Sequence, residues 1–355
     1  MGKLINLENY GYHGYDEYVQ HQEGLIPGRI TELQRERYTI ISERGELTAT
    51  LKGSFYHNAQ IREDLPTVGD FVLLQYNDSG ISLISKLLPR RTQFSRADFL
   101  GHAVGHVKTV YQQIVAANFD YVFIVTSLNQ DFKVSRVIRY LTQTEQSGGS
   151  PVVILTKADL IEDASDLADK INEVQMAMPT VPVHAVSSHT GFRMSALDEY
   201  MQPGKTIVFL GMSGVGKSSL LNSLTGQEVM VVKAIREDDS RGRHTTTHRQ
   251  LFMLPSGAMV IDTPGMRELG LYDAEEGISA VFSDVEELFV NCRFSNCRHE
   301  TEPGCAVRAA ISDGTLKQEQ WSRYLAQKRE SKFIDAKAAM KTAKAMKQQN
   351  KKKKK

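Results

Sequence analysis

The chain has 355 residues, 41% hydrophobic and 24% charged, enough for two or three domains that each bury a core, and ordinary for a soluble globular protein. Its formal charge of +1 conceals an asymmetry, because residues 332–355 hold ten Lys against the single Asp335, a net +9, and residues 1–331 carry −8. Three cysteines argue against a disulfide framework, no apolar run approaches the roughly 20 residues of a membrane span, and Met1-Gly2-Lys3-Leu4-Ile5-Asn6-Leu7 lacks the apolar stretch of a secretion signal. A cytoplasmic protein that does not engage membranes is expected.

Five β-rich runs open the chain: Gly28–Leu33, Arg37–Ser42, Glu46–Leu51, Asp70–Tyr76 and Ile81–Leu87. Gly45 and the Asn77-Asp78-Ser79-Gly80 cluster break two of the joins. Five strands at this spacing predict a small barrel of the OB type, an architecture that often binds nucleic acid. The run Arg90-Arg91-Thr92-Gln93-Phe94-Ser95-Arg96 mixes three Arg with an aromatic and reads equally as an RNA contact or a solvated linker.

From Asp120 the texture changes. Tyr121–Val125, Val152–Leu155, Val181–Val186, Thr206–Leu210 and Met259–Ile261 are buried-type strands, and Phe132–Gln146 and Ala164–Met178 carry the longer period of amphipathic helices. Alternation of this kind predicts a parallel sheet that takes ligands at its strand carboxyl ends. Gly211-Met212-Ser213-Gly214-Val215-Gly216-Lys217-Ser218-Ser219 fits the G-x-x-x-x-G-K-[ST] phosphate loop. A strand precedes it, and a helix over Lys217–Leu224 follows, stopped by Gly226. Glycines let backbone N–H groups converge on phosphate oxygens, Lys217 is placed to reach the β- and γ-phosphates, and Ser218 to bind Mg²⁺. The loop implies a nucleoside triphosphate without naming its base.

The base comes from a resemblance. Thr156-Lys157-Ala158-Asp159, at the end of a predicted strand, resembles the N/T-K-x-D motif of GTPases, in which the Asp carboxylate accepts two hydrogen bonds from guanine. Adenine offers neither donor, so ATP would leave that carboxylate unpaired. Thr156 stands where Asn is commoner and lacks its amide donor. Ser187-Ser188 resembles the S-A-x loop whose backbone N–H meets guanine O6. Asp262-Thr263-Pro264-Gly265 matches the D-x-x-G switch, with Asp262 at the Mg²⁺ water shell and the Gly265 N–H at the γ-phosphate. Gly242-Arg243-His244-Thr245-Thr246-Thr247 lies where GTPases place a Mg²⁺-contacting Thr, and either Thr245 or Thr246 suits that role.

The order of these motifs is unusual: base motif and S-A loop come before phosphate loop, Thr switch and D-x-x-G. This circular permutation, with the barrel before it and a cysteine cluster after it, is similar to the small-ribosomal-subunit biogenesis GTPases of the RsgA family. The resemblance implies a GTPase assisting late maturation of the small (30S) subunit, in contact with its rRNA, cycling between GTP and GDP, and monomeric. Met266 occupies the position after D-x-x-G where many GTPases carry a water-orienting Gln, so intrinsic hydrolysis is expected to be slow and stimulated by the subunit. His244, in the first switch, resembles the family's proposed catalytic His. The same missing Gln permits a rival reading, a non-catalytic GTP-gated rRNA-binding module; a P-loop ATPase or kinase is the other.

Cys292-x4-Cys297-x-His299-x5-Cys305 contains every cysteine in the protein. A Cys₃His set suits tetrahedral Zn²⁺ with no open position, hence a structural ion. Arg293 and Arg298 beside the ligands suit RNA. The Lys-rich end reads either as a basic RNA-binding helix or as a solvated, disordered tail. The expected organisation is an OB-type β-barrel over residues 1–115, a circularly permuted α/β P-loop GTPase domain over 116–275, an α-helical zinc-binding domain over 276–331 and a Lys-rich tail over 332–355.

Overall fold

The computed structural model describes residues 4–20, 22–34, 36–59, 62–97, 112–129, 132–226, 249–262 and 274–353. After a four-residue helix α1 (Asp16–Val19), a closed barrel forms from β1 (Ile26–Gln34), β2 (Arg37–Ser42), β3 (Gly45–Leu51), β4 (Phe71–Gln75) and β5 (Ser82–Leu87), with α2 (Gly53–Asn58) between β3 and β4. The strands pair in the order β1-β2-β3-β5-β4 and close through β1 and β4, with only β3 and β5 parallel, which is the OB arrangement. All five expected runs are strands. The length of β1 makes closure possible: Ile26–Arg29 pair with β4, and past a bulge between Ile30 and Glu32 the strand turns its other edge outward.

The Arg90–Arg96 run is not the solvated linker that was one expectation for it, since Arg90 and Phe94 are packed into the protein. Arg90 forks onto both carboxylate oxygens of Asp70 at 2.8 Å and also donates to Glu63 O and Leu65 O, while Phe94 is buried and stacks on Phe119. Asp70 is fully buried, and a buried carboxylate requires a cation with good geometry. Residues Gln93–Ala97 form β6, antiparallel to β7 (Gln112–Ala117), a separate two-stranded sheet between the barrel and the strands that follow.

The α/β layer follows as β8 (Tyr121–Ser127), α3 (Val134–Ser147), β9 (Ser150–Thr156), α4 (Ala164–Ala177), β10 (Val183–Ala185), β11 (Thr206–Leu210), α5 (Lys217–Thr225), β12 (Arg249–Met253) and β13 (Met259–Asp262). The order is β10-β9-β8-β11-β13-β12, parallel except for β12. Successive strands are added outward in one direction from β8 through β9 to β10 and in the opposite direction from β11 to β13. The crevice between the carboxyl ends of the parallel neighbours β8 and β11 is therefore the topological switch point where open α/β sheets take ligands. Unlike the others, β12 carries no local strand signal in its sequence. It joins the two halves: Leu33 and Glu32 of β1 pair with Arg249 and Gln250, so barrel and α/β sheet form one eleven-stranded sheet.

Arg29 secures that junction. Fully buried, it donates to Tyr10 O at 2.6 Å, Asn118 O at 2.7 Å, Thr206 Oγ1 at 2.9 Å and Gly69 O at 3.3 Å, and lies over the Phe71 ring. Burial pulls its pKa down to about 10, with Asp120 opposing. Gly69 is obligatory beside it, since at φ +91° an added Cβ would lie 2.0 Å from Ala117 O.

Four helices close the chain: α6 (Glu275–Val281), α7 (Ser283–Glu287), α8 (Ala306–Asp313) and α9 (Gln318–Lys353). Trp321, Tyr324, Gln327 and Ser331 are the buried face of α9, at the three- and four-residue spacing of one helical side. That face docks on α3 through a buried bond from Thr142 Oγ1 to Gln327 Oε1 and a fork of Arg139 onto Glu330, 2.6 Å at its shortest. The helix continues unbroken past residue 332 into the Lys-rich segment. Among the described residues no helix is long and apolar enough to cross a membrane.

Candidate functional site

Among the described residues, the motifs that are dispersed along the chain converge at the carboxyl ends of the parallel strands. Thr156 ends β9, Ser187 and Ser188 follow β10, Gly211–Gly216 follow β11, and Asp262 ends β13. Parallel register fixes their level: Val208 pairs with Ile261, and Leu210 with Ile124. Asp262 therefore sits beside the strand that enters the phosphate loop.

The phosphate loop curls because its glycines allow it. Gly211 has φ +153°, and a Cβ there would lie 2.2 Å from Val125 O, so no other residue lets β11 leave the sheet at this point. Gly214 and Gly216 also take left-handed backbone, and Gly216 caps α5. Met212, Ser213 and Gly214 are exposed, Val215 is buried, and Lys217, Ser218 and Ser219 open the helix half-buried. The Lys217 ammonium donates to Gly211 O at 2.6 Å and to Met212 O, which folds it over the mouth of the loop. A loop of converging amides at a helix start, with one ammonium above it, is suited to an anion.

The base motif is bonded directly to this loop. Thr156 Oγ1, buried, donates to Val215 O at 2.5 Å and lies 3.2 Å from Thr126 O. Lys157 takes left-handed backbone (φ 60°), unusual for a residue with a Cβ, and its ammonium reaches Gly214 O at 3.0 Å. These bonds give Thr156 a part that the comparison with Asn does not suggest: its short hydroxyl straps the two loops together across 59 residues of sequence. Ala158 is buried and its N–H donates to Val186 O, tying the motif to the loop after β10, and Asp159 stands exposed. In that loop the Ser187 hydroxyl accepts from His189 N and Thr190 N, and the Ser187 N–H donates to Phe192 O. Ser187 thus shapes the turn, and Ser188 is the half-buried residue beyond it. His244, Thr245, Thr246, Gly265 and Met266 lie outside the described residues.

A second centre lies beyond α7. The ligand atoms of Cys292, Cys297, His299 and Cys305 all fall within 4.8 Å of one another, a group that can hold a metal ion. His299 Nδ1 is 3.6 Å from Cys292 Sγ and 3.5 Å from Cys305 Sγ, and the Ala306 N–H is directed at Cys292 Sγ. Phe289 stacks on the imidazole at 4.3 Å and Trp321 meets it edge-on at 5.7 Å. Burial holds the His299 pKa below the ordinary histidine range, with Glu302 opposing, which favours the neutral, ligating imidazole. The aromatic walls escaped the sequence reading, although Trp321 is the only tryptophan in the chain. Beside the cluster, Val290 is 85% exposed and Arg293 covers the half-exposed Phe294 ring.

Comparison with known proteins agrees with this geometry. The profile of the family described as RsgA GTPase matches residues 87–272. A profile described as ABC transporter matches residues 194–352, a span that includes the phosphate loop common to many nucleotide-binding families. The chain is 44% identical over 330 residues to small ribosomal subunit biogenesis GTPase RsgA 2 of Listeria monocytogenes, covering 93% of this chain and 90% of that protein. It resembles the crystal structure of YjeQ from Thermotoga maritima with a TM-score of 0.63 at 26% identity, covering 85% of this chain and 96% of that one. It also resembles that of YloQ, described as a circularly permuted GTPase, with a TM-score of 0.59 at 26% identity, covering 86% and 94%. The permuted order of the motifs, the barrel before them and the Cys₃His cluster after them thus belong to one ancestry: the chain is a member of the RsgA GTPase family, whose members hydrolyse GTP.

Proposed function

We propose that this GTPase acts in late maturation of the small ribosomal subunit, engaging the subunit and its rRNA in one nucleotide state and leaving it in the other. The observation that carries the nucleotide part is the pair of bonds from Thr156 and Lys157 to Val215 O and Gly214 O. They hold a guanine-reading motif and a phosphate loop as one surface. In this reading the Asp159 carboxylate accepts from the guanine N1–H and 2-amino group, and the Ser188 N–H serves O6. Residues Gly211, Met212, Ser213, Gly214, Val215 and Gly216 cradle the phosphates with Lys217, and Ser219 supports the turn. Ser218 and Asp262 would hold Mg²⁺, which would supply charge to offset that of the phosphates. Thr245 or Thr246 and the Gly265 N–H complete the γ-phosphate side, and His244 orients the attacking water. With Met266 in place of a Gln, basal turnover is slow.

The ion suited to the second centre is zinc. Around Zn²⁺ with ordinary bond lengths, a tetrahedral S-to-N edge is about 3.5 Å, and the two His299 distances are 3.6 and 3.5 Å. Such a site is structural. The exposed Val290, the stacked Arg293 and Phe294, and Arg298 offer an RNA-facing surface beside it. Residues 332–355 hold ten Lys against one acid, a charge suited to phosphate. In this reading the protein works in the cytoplasm as a monomer with a barrel, a GTPase domain and a zinc-binding segment.

Phosphate release and sedimentation with purified small subunits test the proposal together. Cosedimentation with a non-hydrolysable GTP analogue, release with GDP, and multiple turnover raised by subunits are expected. Nucleotide-gated binding without stimulated turnover would favour a non-catalytic rRNA-binding module, for which Met266 is the supporting observation. Binding indifferent to nucleotide would refute the proposal.

A further inference from the structure

We propose that Glu302 is the positioning residue of the metal centre: it is no ligand, and it fixes the backbone that presents His299 Nδ1. The inference rests on the metal reading above. His299 has φ 63°, left-handed backbone that a residue with a Cβ seldom adopts without support. One carboxylate gives that support. Glu302 Oε1 accepts from Arg298 N, and Oε2 accepts from Glu300 N and Thr301 N, each at 3.0 Å. The N–H groups on both sides of His299 therefore end on the same side chain, a small concave nest of amides closed around an anion. These bonds, that from the Arg298 N–H first, draw the Glu302 pKa down to about 2.

Electrostatics distinguishes this role from charge balance. Three thiolates and an imidazole around a divalent cation already carry one net negative charge, so a further carboxylate nearby is unfavourable to the ion's surroundings. Glu302 can favour metal only through the loop it folds. With the backbone so held and the ring clamped by Phe289 and Trp321, Nδ1 is aimed at the point shared by Cys292 and Cys305. Preorganisation of this kind appears in metal affinity, as it does for residues that orient ligands elsewhere.

The test uses the zinc-loaded full chain and transfer of zinc to a chromogenic chelator. E302A should weaken zinc retention by about 10- to 100-fold, and E302Q, which keeps one carbonyl acceptor, should fall between E302A and the parent. At saturating zinc, the amides of Arg298, Glu300 and Thr301 should exchange faster with solvent in E302A, while GDP affinity stays at the parent value. With Co²⁺ in place of zinc, the visible bands of a tetrahedral three-sulfur, one-nitrogen site should persist in saturated E302A. Zinc retention in E302A within about threefold of the parent, small against the usual second-shell effect, or unchanged amide exchange, would overturn the assignment. If the parent chain takes up no zinc, or C305S loses none, the metal reading itself fails.

Discussion

Replacing Thr156 by Val isolates the strap between the two nucleotide loops. Val keeps the β-branched shape that suits the end of β9 and removes only the hydroxyl. Val215 O then loses its 2.5 Å donor in a buried setting. An acceptor left unsatisfied in the interior costs about 1–3 kcal/mol. If the loss is expressed in binding, it corresponds to roughly 5- to 150-fold in affinity. Neither loop carbonyl concerns the γ-phosphate, so GDP and GTP should weaken by the same factor, raising KM and leaving saturated kcat at the parent value. T156S, which restores the hydroxyl without the methyl, should recover most of the affinity. Titration with a fluorescent GDP and with a non-hydrolysable GTP analogue, together with steady-state phosphate release, measures all three quantities. Affinities within twofold of the parent for T156V, or a fall in kcat at saturation, would refute the reasoning.

Replacing Arg29 by Met removes the donors that hold Tyr10 O and Asn118 O at the barrel–GTPase junction, while relieving a costly buried charge. A net loss of roughly 2–4 kcal/mol in urea unfolding is expected, and an unchanged midpoint would mean that desolvation cancels the contacts. G211A should abolish nucleotide binding outright, because its Cβ would meet Val125 O at 2.2 Å; retained GDP affinity in a folded variant contradicts this. His244→Ala should eliminate subunit-stimulated turnover and leave GTP binding intact, which single-turnover assays beside nucleotide titration will show. For pH, burial lowers the His184 pKa, with Glu199 opposing, while its Nε2 meets Tyr200 OH at 2.9 Å. A histidine with a lowered folded pKa binds fewer protons folded than unfolded, so stability is full above about pH 6.5 and falls as pH drops through that value. H184Q should flatten this slope between pH 7.5 and 5.5 in urea midpoints, and an identical slope would remove His184 as its source.

How far this chain is legible from its residues depends on how local each signal is. The phosphate loop, the T-K-x-D motif and the Cys₃His spacing lie within a few residues of backbone, and each needs particular residue types at particular offsets. The five barrel strands were equally legible, since alternation and turn residues are local. Signals that needed a partner far along the chain were misread or missed. Arg90 looked like a free cation because its partner Asp70 carries no mark of burial in the sequence. In the same way β6 looked like a linker, since its partner β7 begins 15 residues after it ends. Nothing in Arg249–Met253 announced a strand whose two edges belong to different halves of the molecule.

Thr156 shows the division most clearly. The sequence by itself determined that a T-K-x-D motif and a G-x-x-x-x-G-K-S loop are present, in which order, and that a thiol-rich cluster follows them, because bond geometry over short spans dictates what such residues can do. Only the tertiary structure decided that one hydroxyl joins the first two, that Arg29 and β12 weld barrel to GTPase sheet, and that Glu302 folds the His299 turn. Each of those depends on which buried polar group lies opposite which, and that pairing is set by how segments pack, not by the residues within either segment alone.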